Sequence, residues 1–336
     1  MTRLFSLSRL AALFAFGAVL LVGMVAGFLY LTDHAGPATQ DQVIWVKPGS
    51  SLGSIARDLE RDGLIKSAGL FKLAGRVEGG HVRAGEFVVP AHSSINDILG
   101  LLKNGAVYQR QITIPEGWTS REIVARIAAA DYLVGAVPDP NTIREGSLMP
   151  ETYGYDRGTD RAALIARMAA AQSAALDAAW ETRTPHPGIK TKQDVLVLAS
   201  IVEKEAGYDA ERGRIARAFL NRLELGMKLE ADPTVIHAVE LKTGKPLERP
   251  LSRKDLRTPS PYNTYYSAGL PPSPICHPGL ASIKAVLNAP PGDDLFFVAD
   301  GTGGHVFAKT LAGHNKNVAA WRRYQRAQKQ KTTGQK

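Results

Sequence analysis

The chain has 336 residues, 44% of them hydrophobic and 22% charged, which excludes a disordered chain and is enough for about two domains. Its single cysteine, Cys276, excludes an internal disulfide and a thiolate zinc site. The net charge is +9, and Arg322, Arg323, Arg326, Lys329, Lys331 and Lys336 follow Trp321 with no acid among them, a tail that either meets an anionic surface or is a solvated terminus.

The first element is Leu10 to Leu31, a run without a charged residue. A helix needs ~20 apolar residues to span a hydrocarbon core, and this run supplies them. Arg3 and Arg9 precede it, while Asp33, His34 and Asp41 follow. The positive-inside rule therefore places residues 1–9 in the cytoplasm and everything after Thr32 outside. A cleaved signal peptide is the alternative, but its apolar run is usually only about 7–15 residues. An outward-facing chain argues against nucleic acid as the partner of the basic charge.

Residues 32–42 read as a spacer. A pattern then occurs twice: Val43–Gly49 leads through Ser50 and Ser51 to Ile55-Ala56, and Gln111–Gly117 leads through Trp118 and Thr119 to Ile123 and Ile127-Ala128. Each copy predicts a short strand, a Pro/Gly turn and a helix with a Ser/Thr start. Phe87–Pro90 followed by Ser93–Leu102 is a looser copy. Units of this size pack together as small α/β modules. The first copy looks like a LysM-type module, which binds N-acetylglucosamine-containing glycans, so residues 43–110 are either a glycan-binding module or a spacer without ligand.

Residues 111–325 form the candidate catalytic domain. Helices are predicted over Ala162–Trp180, Lys192–Ala206 and about Glu211–Leu225, the second started by Thr191 with Asp194 as its capping-box partner and ended by Gly207. Asp232-Pro233-Thr234 reads as a turn with an Asx hydrogen bond. Leu295–Ala299 and His305–Ala308 read as a hairpin, so the glycines at 301, 303 and 304 belong to its turn and not to a phosphate loop. A last helix from about Leu311 leads into the basic tail, 326–336.

The helix Val195–Glu205 carries the sharpest chemical signal. Residues 195–202 are apolar nearly all round, which predicts burial. Glu203 and Glu205 then arrive at its C-terminal end, pointing to nearly opposite sides, since successive helical residues differ by ~100°. A glutamate in apolar surroundings at the negative end of a helix dipole holds its proton, as the general acid of glycosidic cleavage requires. The alternative is a structural ion pair with Lys204, Arg212 or Arg222. The Tyr262–Tyr265 and Gly269–Pro272 segments form aromatic loops suited either to sugar stacking or to packing alone. His277, His305 and His314 match no common zinc spacing, and no Gly-x-Ser-x-Gly elbow marks a serine hydrolase.

Ile201-Val202-Glu203-Lys204-Glu205, Phe219–Leu223, Gly226-Met227-x-Leu229, Asp232–Val235, Tyr262–Tyr265, Gly269–Pro272, Phe297–Gly301, Gly304-His305 and His314-Asn315 occur in that order. Together they resemble the endolytic murein transglycosylase family, also called YceG-like, over about Val43 to Arg323. Cys276-His277 stand where that family more often has Ala-Asn, and Met149-Pro150-Glu151 where it often has Phe-Pro-Asp. The resemblance implies an α+β protein with an N-terminal transmembrane helix, LysM-like βα modules and a mixed catalytic domain. It implies an inner-membrane location with that domain in the periplasm, peptidoglycan glycan strands as substrate and peptidoglycan synthases as candidate partners. It implies no cofactor and no metal. It maps the catalytic acid onto Glu203, with Glu205, Asp232, Tyr262, Asn263 and Thr264 as candidate sugar contacts. The products expected are strands ending in 1,6-anhydro-N-acetylmuramic acid, with the same glutamate acting first as acid and then as base. A non-enzymatic glycan-binding scaffold is the reading from another class.

Overall fold

A computed structural model describes the backbone of residues 2–333 and the side chains of residues 10–328. The side chains of Arg3 and Arg9, and those of the tail residues Lys329, Lys331 and Lys336, lie outside it. Helix α1 runs Thr2–Asp33. Within it Leu10–Asp33, 24 residues of mean hydropathy 2.5, is long and apolar enough to cross a membrane. The remaining elements are α+β, with the strands in three two-stranded sheets, β1-β2, β3-β4 and β5-β6. The chain divides into two compact units, one comprising the residues up to Arg110 with Gly154–Arg157, the other Gln111–Tyr153 with the residues from Gly158 onward.

In the first unit β1 (Gln42–Val46) pairs antiparallel with β2 (Gly85–Val89), Gln42 opposite Val89 and Val46 opposite Gly85. Side chains alternate along β1: Ile44 and Val46 enter the core, while Val43 and Trp45 face out. Helices α2 (Leu52–Arg61) and α3 (Ala68–Glu78) connect the two strands, and α4 (Ile95–Asn104) follows. Ser51, Ser67 and Ser94 cap these helices, each accepting a backbone N–H of the first turn. The repeated strand-turn-helix pattern is thus real, but α3 was not anticipated. Three glycines in and around it lower its helical propensity. One has a packing reason: a Cβ on Gly75 would lie 2.7 Å from the Leu52 side chain. Glu86 of β2, opposite Trp45 in the register, is buried and is answered by two guanidiniums, Arg110 at 2.9 Å and Arg157 at 3.4 Å.

The second unit is built round α7 (Lys192–Glu205), which packs against α6 (Arg161–Glu181), α8 (Asp209–Glu224), α9 (Asp232–Thr243) and α10 (Leu280–Leu287). A capping box between Thr191 and Asp194 starts α7. Residues Val195 to Val202 are all buried, as an apolar helix with no polar face must be. Leu198, Ile201, Val202, Phe219, Leu220 and Ile283 share that core. In chain order β3 (Arg110–Thr113), α5 (Ser120–Ala128) and β4 (Thr152–Tyr155) precede α6; after α10 come the antiparallel hairpin β5 (Phe296–Ala299) and β6 (His305–Ala308), and α11 (Leu311–Thr333). The Asp232 segment corrects an expectation. It begins helix α9 instead of forming a turn, with Pro233 in the first turn, where a missing N–H costs no intrahelical bond.

Candidate active site

The last turn of α7 carries Glu203 and Glu205 to different surroundings. The Glu203 side chain is 6% exposed and sits within 3.5 Å of the Arg212 guanidinium. Its Oε2 accepts the backbone N–H of Gly279 at 3.0 Å. Arg212 also lies 3.0 Å from Asp209 and 3.5 Å from Glu116. Burial, and next the charge of Glu203, push the Glu116 carboxyl above its ordinary range. The segment from Glu116 to Trp118 is strapped to residues 277–279: Gly117 N–H donates to the His277 carbonyl and His277 N–H to the Trp118 carbonyl. The Glu116 carboxylate packs over Gly279, in the space a Cβ there would fill.

Glu205 lines a cleft of about 400 Å³ with Arg222, Glu230, Asp232, Tyr265, His305 and the β5 residues Phe297 to Ala299; Glu203 is not among the lining residues. Among the described residues none donates a hydrogen bond to the Glu205 carboxyl. Burial, reinforced by the charge of Asp232, pushes it up to about 8. Its place as the final residue of α7 adds the negative end of the helix dipole. Asp232 opens α9, and its Oδ1 accepts the Tyr265 hydroxyl at 2.8 Å. Burial and that bond hold the Tyr265 proton well above the usual phenol range. Arg222 forms the floor, donating to the Leu295 carbonyl at 2.6 Å and to the Lys228 and Leu229 carbonyls at 3.0 and 2.9 Å. The cleft therefore sets a carboxyl whose proton burial favours beside the side chain of Asp232.

The other expected sugar contacts separate. Asn263 is fully buried; its amide donates to the carbonyls of Leu256 and Thr258, and its oxygen accepts from Tyr265 N–H. Thr264 is 1% exposed, and its hydroxyl is shared between Ala231 N–H and the Thr234 hydroxyl. Both side chains are engaged in shaping the 258–267 loop, their polar atoms bonded to neighbouring groups of the chain. Tyr262 bonds the Ser273 hydroxyl at 2.7 Å, and its ring meets His237 edge-on at 4.9 Å. Its position is half-buried and outside the residues lining the cleft.

Ser120, His277 and Glu145 come together but do not make a nucleophilic triad. Leu148 N–H donates to His277 Nδ1 at 3.0 Å, so the ring proton is on Nε2, 3.0 Å from the Ser120 hydroxyl. A nitrogen that already carries a proton cannot take one from a serine. Burial pushes His277 down to about 4 and Glu145 up to about 7. Cys276 is buried against the Ser200 carbonyl, and burial raises its thiol. Among the described residues no three His, Cys, Asp or Glu side chains gather as metal ligands. Glu116 was not singled out beforehand, Arg212 was weighed only as an ion-pair partner of the two acids, and His305 only as a metal ligand and as part of the Gly304-His305 string. Tyr265 carried a signal as the second tyrosine of the Tyr-Asn-Thr-Tyr string.

A family model described as the YceG-like family matches residues 44–320. The endolytic murein transglycosylase of Bacillus subtilis (strain 168) is 31% identical over 323 residues, which cover 86% of this chain and 88% of that relative. The endolytic murein transglycosylase of Streptococcus pneumoniae serotype 2 (strain D39) is 28% identical over 355 residues, 90% of this chain but 63% of that longer relative. A crystal structure of a yceG-like protein from Listeria monocytogenes, 28% identical, superposes with a TM-score of 0.50 over 83% of this chain and 99% of that one.

Proposed function

The chain belongs to the YceG-like family, and from that premise we propose that it is an endolytic lytic transglycosylase of peptidoglycan. It cleaves the bond between N-acetylmuramic acid and N-acetylglucosamine within nascent strands and leaves 1,6-anhydro ends, which limits strand elongation. The observation that carries the catalytic assignment is the contrast at the end of α7. The acid was expected at Glu203, but both oxygens of Glu203 are already bound, by Gly279 N–H and by Arg212. Glu205 faces a cleft, has no donor among the described residues, and is pushed up to about 8 by burial and the charge of Asp232. We therefore assign the acid to Glu205, with Asp232 and Tyr265 at its side and Glu203 as a structural residue.

Glu205 protonates the leaving glycosidic oxygen, and the C6 hydroxyl of the same N-acetylmuramic acid attacks C1. That nucleophile is tethered to the carbon it attacks, so its effective concentration is high and no water need be activated. Digestion of purified glycan strands by the full chain in detergent, read by mass spectrometry, tests this. Anhydro-terminated fragments are expected; reducing ends that incorporate oxygen from labelled water would make the protein a hydrolase, and undigested strands would make it a scaffold.

Residues 10–31 serve as an uncleaved anchor that leaves the catalytic unit, 111–325, in the periplasm. Protease added to spheroplasts should digest that unit, and its protection would reverse the topology. Residues 43–110 hold glycan in a LysM-like manner. What supports this is a cleft of about 220 Å³ lined by Ser50 and Leu52 after β1 and by Gly80, His81 and Val82 before β2. Deleting these residues should weaken retention on isolated peptidoglycan, and unchanged retention would leave them a spacer. Peptidoglycan synthases remain the proposed protein partners, tested by co-purification.

A further inference from the structure

Formation of a 1,6-anhydro ring needs two proton transfers: one proton goes to the leaving oxygen, and one is taken from the C6 hydroxyl. Glu205 can supply the first. The second has an independent candidate on the same cleft wall. His305, the first residue of β6, is clamped twice by Glu211 of α8: its backbone N–H donates to Oε1 and its ring Nδ1 lies 2.9 Å from Oε2. A carboxylate only accepts, so this contact places a ring proton on Nδ1, and in that tautomer of the neutral ring the lone pair lies on Nε2. The ring plane is held by Phe297, edge-on at 5.4 Å, and by Phe307 at 6.4 Å. His305 lines the cleft together with Glu205, and among the described residues Nε2 has no hydrogen-bond partner.

The geometry points to His305 as the base that takes the C6 hydroxyl proton, so that acid and base are two residues instead of one. The inference rests on the transglycosylase reading and adds a residue to it. The step balances as follows. The C6 O–H proton passes to His305 Nε2, and the oxygen pair forms the bond to C1. The bond from C1 to the leaving oxygen breaks, and the Glu205 proton passes to that oxygen. The site ends with a Glu205 carboxylate and a His305 imidazolium that faces the Glu211 carboxylate, and solvent returns the proton. Asp232 is the less suitable base, because its charge helps to hold the Glu205 proton and its Oδ1 is bonded by Tyr265.

The test is steady-state digestion of glycan strands by the full chain carrying His305→Asn or His305→Ala. Asparagine places an amide N–H where Nδ1–H was, keeping the Glu211 bond, and has nothing at Nε2. Turnover should fall about 100-fold or more, the scale of a lost general base, while KM and glycan retention hold within about twofold. His305→Ala should lose as much and recover in part when imidazole is added to the buffer. Turnover of His305→Asn within about threefold of wild type, a loss confined to KM, or a folded His305→Ala that imidazole does not rescue would each overturn the assignment. The wild-type digest separates this from the reading beneath it. Anhydro products with an active His305→Asn remove only His305; reducing ends from the wild type remove the hydroxyl it is said to deprotonate.

Discussion

Glu203 and Glu205 leave the same helical turn, and comparison of the two regions they enter separates structure from chemistry. The Glu203 region is a knot of fixed partners: a backbone N–H from Gly279, a buried guanidinium from Arg212, and two more carboxylates on that same guanidinium. It joins α7 to the start of α10 and to α8. The Glu205 region has an open cleft, a neighbouring charge of the same sign and, among the described residues, no donor. A carboxyl met by donors is held as part of the scaffold; one met by burial and a like charge keeps a proton it can give away. The two differ by two positions in the chain, and nothing but their surroundings distinguishes them.

The largest effect that can break this comparison is on turnover. Glu205→Gln should lose about 100-fold or more, since an amide cannot serve as the acid. Glu203→Gln should lose far less activity and should instead lower thermal stability. The reverse pattern would restore Glu203 as the acid. The next effect is on stability. Arg212→Met strands the buried Glu203 carboxylate and should cost about 3 kcal/mol in chemical denaturation, the low end for a buried pair, because Asp209 and Glu116 keep access to water. A loss within experimental error would mean that the knot contributes nothing. The smallest effect is a displaced pH profile. Activity requires the protonated acid, so it falls as pH rises through about 8. Asp232→Asn removes the like charge, makes ionisation of Glu205 easier, and should move that falling limb to lower pH. An unmoved limb would take Asp232 out of the account.

Much of this architecture was legible because its signals are local. The Ser51, Thr119 and Thr191 caps, the apolar run at 195–202 and the turn before His305 each lie within a few residues of the structure they specify. The opposed directions of Glu203 and Glu205 followed from helix geometry alone. Which of the two is the acid did not, because it depends on Gly279, Arg212 and Asp232, which reach the turn from other elements. Asn263 and Thr264 show the same limit: a polar residue in an aromatic loop reads as a sugar contact until the carbonyls and hydroxyls that occupy it are placed. Helix α9 was obscured by its own Pro233, whose string reads equally well as a turn.

The central claim is that Glu205 holds a proton at neutral pH, and the most direct test is titration of that one carboxyl. Infrared difference spectra between wild type and Glu205→Gln, taken across pH, isolate its C=O band. The protonated band should persist through neutrality and disappear near pH 8. Disappearance in the ordinary carboxylate range, at about 4.3, would contradict the account and leave the cleft without its acid.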